Sequence, residues 1–289
     1  MKKTFDYIVV GGGSGGCVVA SRLTEDPNVS VCVLEAGGGG QSSLVNIPAA
    51  VVAMVPTSVN NWAFETVAQG ALAGRKGYQP RGKALGGSSA INAMIYVRGH
   101  QWDYDHWASL GNTGWAFKDV LPYFLLSEHN ERIDNEWHGR GGPLWVSDLR
   151  SDNPFQQRFL DAALQTGLPL NDDFNGAEQE GVGIYQVTQK HGERCSAARA
   201  YLLPHTGVRS NLTVETNTQV QRILFEGTRA VGVEMLQRGR LHVLRAQREV
   251  ILAAGAFQTP QLLMLSGVGP QAELQRHGIE VLLDLPGVG

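Results

Sequence analysis

The clearest chemistry in the chain belongs to Gly11-Gly12-Gly13-Ser14-Gly15-Gly16 and Glu35. The run satisfies G-x-G-x-x-G. In that pattern Gly11 permits a tight turn, Gly13 lets backbone approach a pyrophosphate, and Gly16 lets helix and strand pack closely. The helix that follows presents free N–H groups and a positive dipole end to the anion. Glu35 lies 19 positions beyond Gly16, where a carboxylate accepts the hydroxyls of an adenosine ribose. A carboxylate there disfavours a 2′-phosphate, hence NADP, and leaves NAD and FAD both open. A second cluster runs Arg81-Gly82-Lys83-Ala84-Leu85-Gly86-Gly87-Ser88-Ser89-Ala90-Ile91-Asn92-Ala93-Met94. Its glycines allow close backbone approach to a flat ring or phosphate. Arg81 and Lys83 can offset phosphate charge, and Asn92 can donate to or accept from a ring edge.

A β-α-β unit must position these residues. Residues 5–10 are an apolar, β-branched run bounded by glycine, residues 17–23 a helix that stops before Pro27, and residues 29–34 a second, valine-rich strand. Near-continuous apolar strands of this kind belong to a parallel sheet buried on both faces. Residues 41–78 read as loop and short helix, and 103–124 as helix in pieces. Asn153 predicts an N-cap with Pro154 at the first helical position, Phe155, Phe159, Leu160, Ala163 and Leu164 an apolar stripe, and Gly167 a stop. Residues 182–189 predict a strand turning at His191-Gly192. Strands follow at 212–214, 219–225, 230–235, 241–245 and 248–253. Thr259 and Pro260 then predict a helix start, with Gly267 after its end. Residues 270–277 read as a short helix closed by Gly278, and 279–283 as a last strand.

Composition narrows the class. Of 289 residues, 43% are apolar and 18% charged, and the net charge is −3. That balance suits a globular protein and argues against a nucleic-acid binder. No apolar run reaches the length of about 18 residues that a membrane-spanning helix needs. Glycine is the outlier: 36 residues, against about 20 expected at ordinary usage. Cys17, Cys32 and Cys195 form no CxxC pair, so neither a disulfide framework nor a zinc site is expected, and Cys17 and Cys32 read as core residues. Met1-Lys2-Lys3 could open a signal peptide, but Asp6 interrupts the apolar stretch. The expected compartment is the cytoplasm, with peripheral contact at the inner membrane allowed through the apolar stretch 47–55.

The sequence resembles the glucose–methanol–choline (GMC) family of FAD-dependent oxidoreductases along essentially its whole length. The likeness rests on the two glycine clusters with Glu35, and on Tyr96-Val97-Arg98-Gly99-His100. It also rests on Gly181-Val182-Gly183 with Gln186-Val187-Thr188, and on the run from Gly255-Ala256-Phe257-Gln258-Thr259-Pro260 to Leu265-Ser266-Gly267-Val268-Gly269. The wording looks closest to the bacterial choline and aliphatic-alcohol dehydrogenase branch.

The resemblance implies a fold, a cofactor and roles. The fold is α/β, a Rossmann-like FAD-binding domain with a parallel central sheet and the start of an α+β substrate-binding domain. The implied segments are 1–149 and 208–289 for FAD and 150–207 for substrate. Gly11, Gly13, Ser14, Gly15 and Gly16 would hold the pyrophosphate, and Glu35 with Ala36 the adenosine ribose. Trp62 and Arg81 would lie near the cofactor. Leu85, Gly86, Gly87, Asn92, Ala93, Met94 and Ile95 would line the flavin, and Val220 would present backbone to adenine. Ile91 stands where some members carry a flavin-linking His, so noncovalent FAD is expected. The implied reaction oxidises a primary alcohol, choline-like or aliphatic, to the aldehyde, with a quinone-type acceptor or oxygen taking the electrons.

In this family the proton-accepting His lies far toward the C-terminus, beyond where this chain stops. No residue here is therefore assigned a catalytic role, and none a metal-binding one. The expectation is a chain that carries much of the cofactor grip, lacks the C-terminal part of both domains, leaves a sheet edge exposed, binds FAD weakly and oxidises no alcohol alone. The rivals are a flavin-bearing lyase of the same family, a bare dinucleotide-binding module, and an NAD-dependent dehydrogenase.

Overall fold

The computed structural model describes residues 3–151 and 153–289. Met1 and Lys2, the start of the signal-peptide-like Met1-Lys2-Lys3, lie outside the described residues, as does Asp152. The chain forms two compact units. The first comprises Met1–Val45, Ala49–Asn92 and Ser196–Gly289, and the second Asn46–Pro48 and Ala93–Cys195.

A six-stranded sheet organises the first unit. Its strands are β1 (Thr4–Val10), β2 (Val31–Leu34), β3 (Leu212–Glu215), β4 (Thr218–Glu226), β5 (Arg229–Gln237) and β6 (Arg240–Leu252), in the order β4-β5-β6-β1-β2-β3. From β6 through β1 and β2 to β3 the pairing is parallel; β4, β5 and β6 are antiparallel. Every residue of β2 is buried, as are Ile8, Val9 and Val10 of β1, which is why both read as unbroken apolar runs. The core joins Phe5, Ile8, Cys32, Leu34, Val233, Met235 and Leu244. Helix α1 (Ser14–Leu23) buries Gly16, Cys17 and Ala20.

The structure corrects several elements. Strands expected at 241–245 and 248–253 are the single β6. Its first part pairs with β5 and its second with β1, so the polar stretch between them is a change of partner and not a break. Helix α2 is Gly255–Leu265, beginning before Thr259, with Pro260 inside it. Gly255, at φ +85°, turns the chain from β6 straight into the helix. The last strand shrinks to Leu283–Asp284, paired with Val268–Gly269. The short helix Gln271–Arg276 forms as expected.

In the second unit the helix Pro154–Gln165 starts as expected: Asn153 Oδ1 accepts from the Phe155 N–H at 3.0 Å. Its apolar stripe does not form a core face, since only Leu160 is buried while Phe155 and Phe159 are about 70% exposed. No long strand spans 182–189. Val182 and Val187 make isolated bridges, and the turn His191-Gly192 joins Gln189–Lys190 to Glu193–Arg194. Both turn residues have positive φ, at 55° and 81°, as tight hairpins favour. Among the described residues no helix is long and apolar enough to cross a membrane.

Candidate dinucleotide site

The parallel strands β1, β2 and β6 end together, and beyond their C-terminal ends lies a cavity of about 380 Å³. That is where open α/β sheets bind ligands, and ligand cavities run from roughly 300 to 1,000 Å³. Gly11 has φ +98°, and a Cβ there would lie 2.6 Å from the Ala253 carbonyl oxygen at the end of β6. A Cβ on Gly16 would lie 1.9 Å from the Gly11 carbonyl oxygen. Only glycine permits this turn and this helix approach. Gly15, by contrast, has nothing within 4 Å of its Cβ position, and Gly13 has nothing nearer than 3.7 Å. Both line the cavity.

Two helices begin there. Helix α1 has Gly13 as its N-cap and α2 has Ala254, and neither start is capped by a side chain. Ser14, Gly15, Gly255 and Ala256 line the cavity. Two N-termini aimed at one space favour a ligand with spread negative charge.

Glu35, at the end of β2, is 6% exposed. Its Oε2 accepts the Gly12 N–H at 2.9 Å and its Oε1 the Gly37 N–H at 2.8 Å. Burial pushes its pKa up to about 6, while the two N–H donors and the Lys83 charge pull the other way. The carboxylate thus ties the glycine loop to the turn after β2 and keeps lone pairs for a further donor. Behind the loop the Cys17 thiol donates to the Gly12 carbonyl at 3.1 Å, and burial raises its pKa to about 12. Cys17 and Cys32 are both fully buried.

Aromatic rings and cations hold one side. Trp62 stacks on Phe64 at 5.6 Å, and Phe64 meets the edge of Phe257 at 6.2 Å. Lys83 Nζ sits 4.2 Å above Trp62, and the Arg81 guanidinium 4.3 Å above Phe257. Trp62, Arg81 and Phe257 line the cavity.

The structure therefore brings Gly11, Gly13, Ser14, Gly15, Glu35, Ala36, Trp62, Arg81, Gly87 and Val220 to one cavity wall. Gly16 supports it from within α1. Leu85 and Gly86 stand behind the glycine loop: the Gly86 N–H donates to the Gly12 carbonyl at 2.7 Å, and Leu85 is buried. Asn92 is exposed and belongs to the first unit, whereas Ala93, Met94 and Ile95 belong to the second. Sequence reasoning named none of Ala253, Ala254, Phe257 and Gln258 as a cofactor contact, yet all four line the cavity. The signal was there: Gly255 directly follows a third parallel-type strand, whose end faces the same crevice. Glu35 and Arg81 are the only acidic or basic side chains among the described residues lining the cavity. Among the described residues no group of three or more His, Cys, Asp or Glu could hold a metal ion.

This fold and site define a dinucleotide-binding α/β protein. Residues 5–289 match the GMC oxidoreductase family, and the chain belongs to that family. It is 48% identical to "Alcohol dehydrogenase [acceptor]" of Pseudomonas putida, over 99% of this chain and 52% of that protein. It is 47% identical to the mitochondrial choline dehydrogenase of Homo sapiens, over 99% of this chain and 49% of that protein. An FAD-dependent oxidoreductase from Chaetomium thermophilum superposes with a TM-score of 0.92 at 34% identity, over 99% of this chain and 51% of that one. The chain spans about half the length of the curated relatives it matches.

Proposed function

We propose that this chain grips FAD noncovalently, in the service of oxidising a primary alcohol, choline-like or aliphatic, to its aldehyde. One observation carries the reading: two uncapped helix starts, the open faces of Gly13 and Gly15, and the buried Glu35 carboxylate surround a single cavity. That donor set fits a pyrophosphate flanked by a ribose. The relatives supply the reaction class, one an alcohol dehydrogenase and one a choline dehydrogenase.

In this reading the N–H groups of Ser14, Gly15 and Ala256 receive the pyrophosphate, and Arg81 offsets its charge. Glu35 accepts the ribose hydroxyls with its remaining lone pairs. Val220, on β4, presents backbone to the adenine edge. Leu85 and Gly86 hold the glycine loop in shape, and Asn92, Ala93, Met94 and Ile95 face the flavin ring. Ile91 has no nucleophilic atom and forms no covalent link. Bound FAD supplies the acceptor for the hydride that leaves the alcohol carbon. In this reading the 289-residue chain by itself binds cofactor without turnover. A quinone-type acceptor or oxygen reoxidises the flavin, and residues 150–207 contribute to the substrate side.

The test is reconstitution with FAD, read by visible flavin absorbance and followed by denaturation and filtration. The expected result is yellow protein that releases all its flavin into the filtrate. Failure to take up FAD, or preferential binding of NAD, overturns the cofactor reading; flavin retained after denaturation overturns the noncovalent one. Alcohol-dependent dye reduction by the 289-residue chain would overturn the absence of turnover.

A further inference from the structure

The second unit sets four charged side chains in a row: Arg98, Glu128 and His138 are buried, and Asp173 is half-buried. Glu128, fully buried, accepts from Arg98 Nη2 at 2.6 Å, from Asn130 Nδ2 at 2.9 Å and from the Gly139 N–H at 3.2 Å. His138 Nδ1 lies 2.9 Å from Glu128 Oε1, and its Nε2 lies 3.0 Å from Asp173 Oδ1. With a carboxylate against each nitrogen, both must donate, so the ring is an imidazolium. Such a row is costly to desolvate, and its retention calls for something that it holds.

What it holds is backbone 94–98. The Arg98 N–H donates to Asn175 Oδ1 at 2.7 Å, and Asn175 Nδ2 donates to the Tyr96 carbonyl at 3.0 Å. Asp173 Oδ1 in turn accepts the Asn175 N–H at 3.1 Å. Gln179 Nε2 donates to the Arg98 carbonyl at 2.9 Å. On the other side the Tyr96 N–H donates to the Gln186 carbonyl and the Thr188 N–H to the Met94 carbonyl, at 2.9 and 2.8 Å. Gln186 is anchored by Asn130, which is anchored by Glu128. Met94 has φ +63°. A non-glycine residue there is strained and persists only where its surroundings over-determine it.

We propose that Glu128 and His138 are positioning residues for backbone 94–98, fixing the strained Met94 from a distance through Arg98, Asp173 and Asn175. The inference rests on the reading that Met94 and Ile95 face the flavin. Loss of the imidazolium leaves the buried Glu128 and the half-buried Asp173 with no cation between them, and the 171–179 loop with its Asn175 clamp comes away. The segment then loses the contacts that pay for its strain.

The experiment compares wild type with His138→Gln, Glu128→Gln and His138→Lys by amide hydrogen exchange, and by flavin absorbance of the FAD-loaded protein. His138→Gln and Glu128→Gln are expected to speed exchange at 94–98 and 171–179 at least tenfold over the rest of the unit and to shift the flavin bands. His138→Lys, which keeps a cation, should restore part of both. Exchange that is unchanged at 94–98, or raised equally throughout the unit, overturns the proposal. So does faster exchange with unshifted flavin bands. If His138→Gln does not fold, Asp173→Asn is read in its place, because it leaves the Arg98–Glu128 pair intact. Exchange needs no cofactor. A wild-type chain that takes up no FAD therefore overturns the cofactor reading, while the exchange data still decide this one.

Discussion

Two residues set the expected pH behaviour. Glu35 has a folded-state pKa near 6, above the ordinary carboxylate value of 4.5. Its ionised form therefore costs the apo fold about 2 kcal/mol at neutral pH. A ribose donating to its free lone pairs stabilises the ionised form, so FAD affinity should fall as pH drops through 6. Titrating affinity from pH 8 to 5 checks this, and Glu35→Gln should flatten the profile and weaken binding about tenfold or more, the worth of roughly 1.5–3 kcal/mol for a hydrogen bond to a charged group. His138 shows the opposite sign. Its pKa is raised from 6.5 to about 9 by Asp173 and Glu128, against burial. The stability it contributes is full below pH 6.5 and is lost as pH rises through 9. Glu128 and Asp173 are held below 4.5 and 3.8, despite burial, by His138 and their other donors. Their contribution is present above those values and lost in acid. Denaturant midpoints for the second unit should therefore peak between about pH 4.5 and 6.5. Gly11, Gly16 and Glu35 were legible in sequence because steric need and charge leave few residue types possible there. Glu128 and His138 were not, because their partners lie up to 35 positions away, as Asp173 does from His138.

At the scale of elements, the helix starts are the sensitive places. Gly16→Ala would drive a methyl into the Gly11 carbonyl, and a loss of ~1–3 kcal/mol or more is expected, the usual range for overpacking. Gly15→Ala meets open space and should leave thermal unfolding nearly unchanged while weakening FAD uptake. Together they separate fold from grip. Asn153→Ala should cost about 1 kcal/mol through the lost cap, measured as a fall in urea midpoint. The Asn153-Pro154 start was readable because cap chemistry is local. The start of α2 was misread because Thr259-Pro260 carries the same local signal, yet Gly255 had already turned the chain. The stripe of Phe155 and Phe159 was misread for another reason: periodicity shows that a face is apolar, not that anything covers it.

At the scale of the molecule, the cavity belongs wholly to the first unit. Saturating FAD at about 100 times its dissociation constant should stabilise that unit by about 2.7 kcal/mol. Slowed amide exchange should concentrate at residues 11–16, 35–37 and 253–258. Protection confined to the second unit would contradict the site. Family membership was legible from motifs strung along the whole chain.

The first unit is also interrupted in time. β1 ends at Val10, and its parallel neighbour β6 begins at Arg240, after all of Ala93–Cys195 has been made. At cellular synthesis rates the gap is about 10–50 s. Through that interval β1 and β2 offer an apolar, unpaired edge that chaperones can hold. Fusing a fast-folding partner at the N-terminus should leave this window unchanged, while slowing translation through 200–240 should widen it. The glycine loop, built between β1 and α1 at the outset, gains the Ala253 backbone against Gly11 only after residue 253 has emerged.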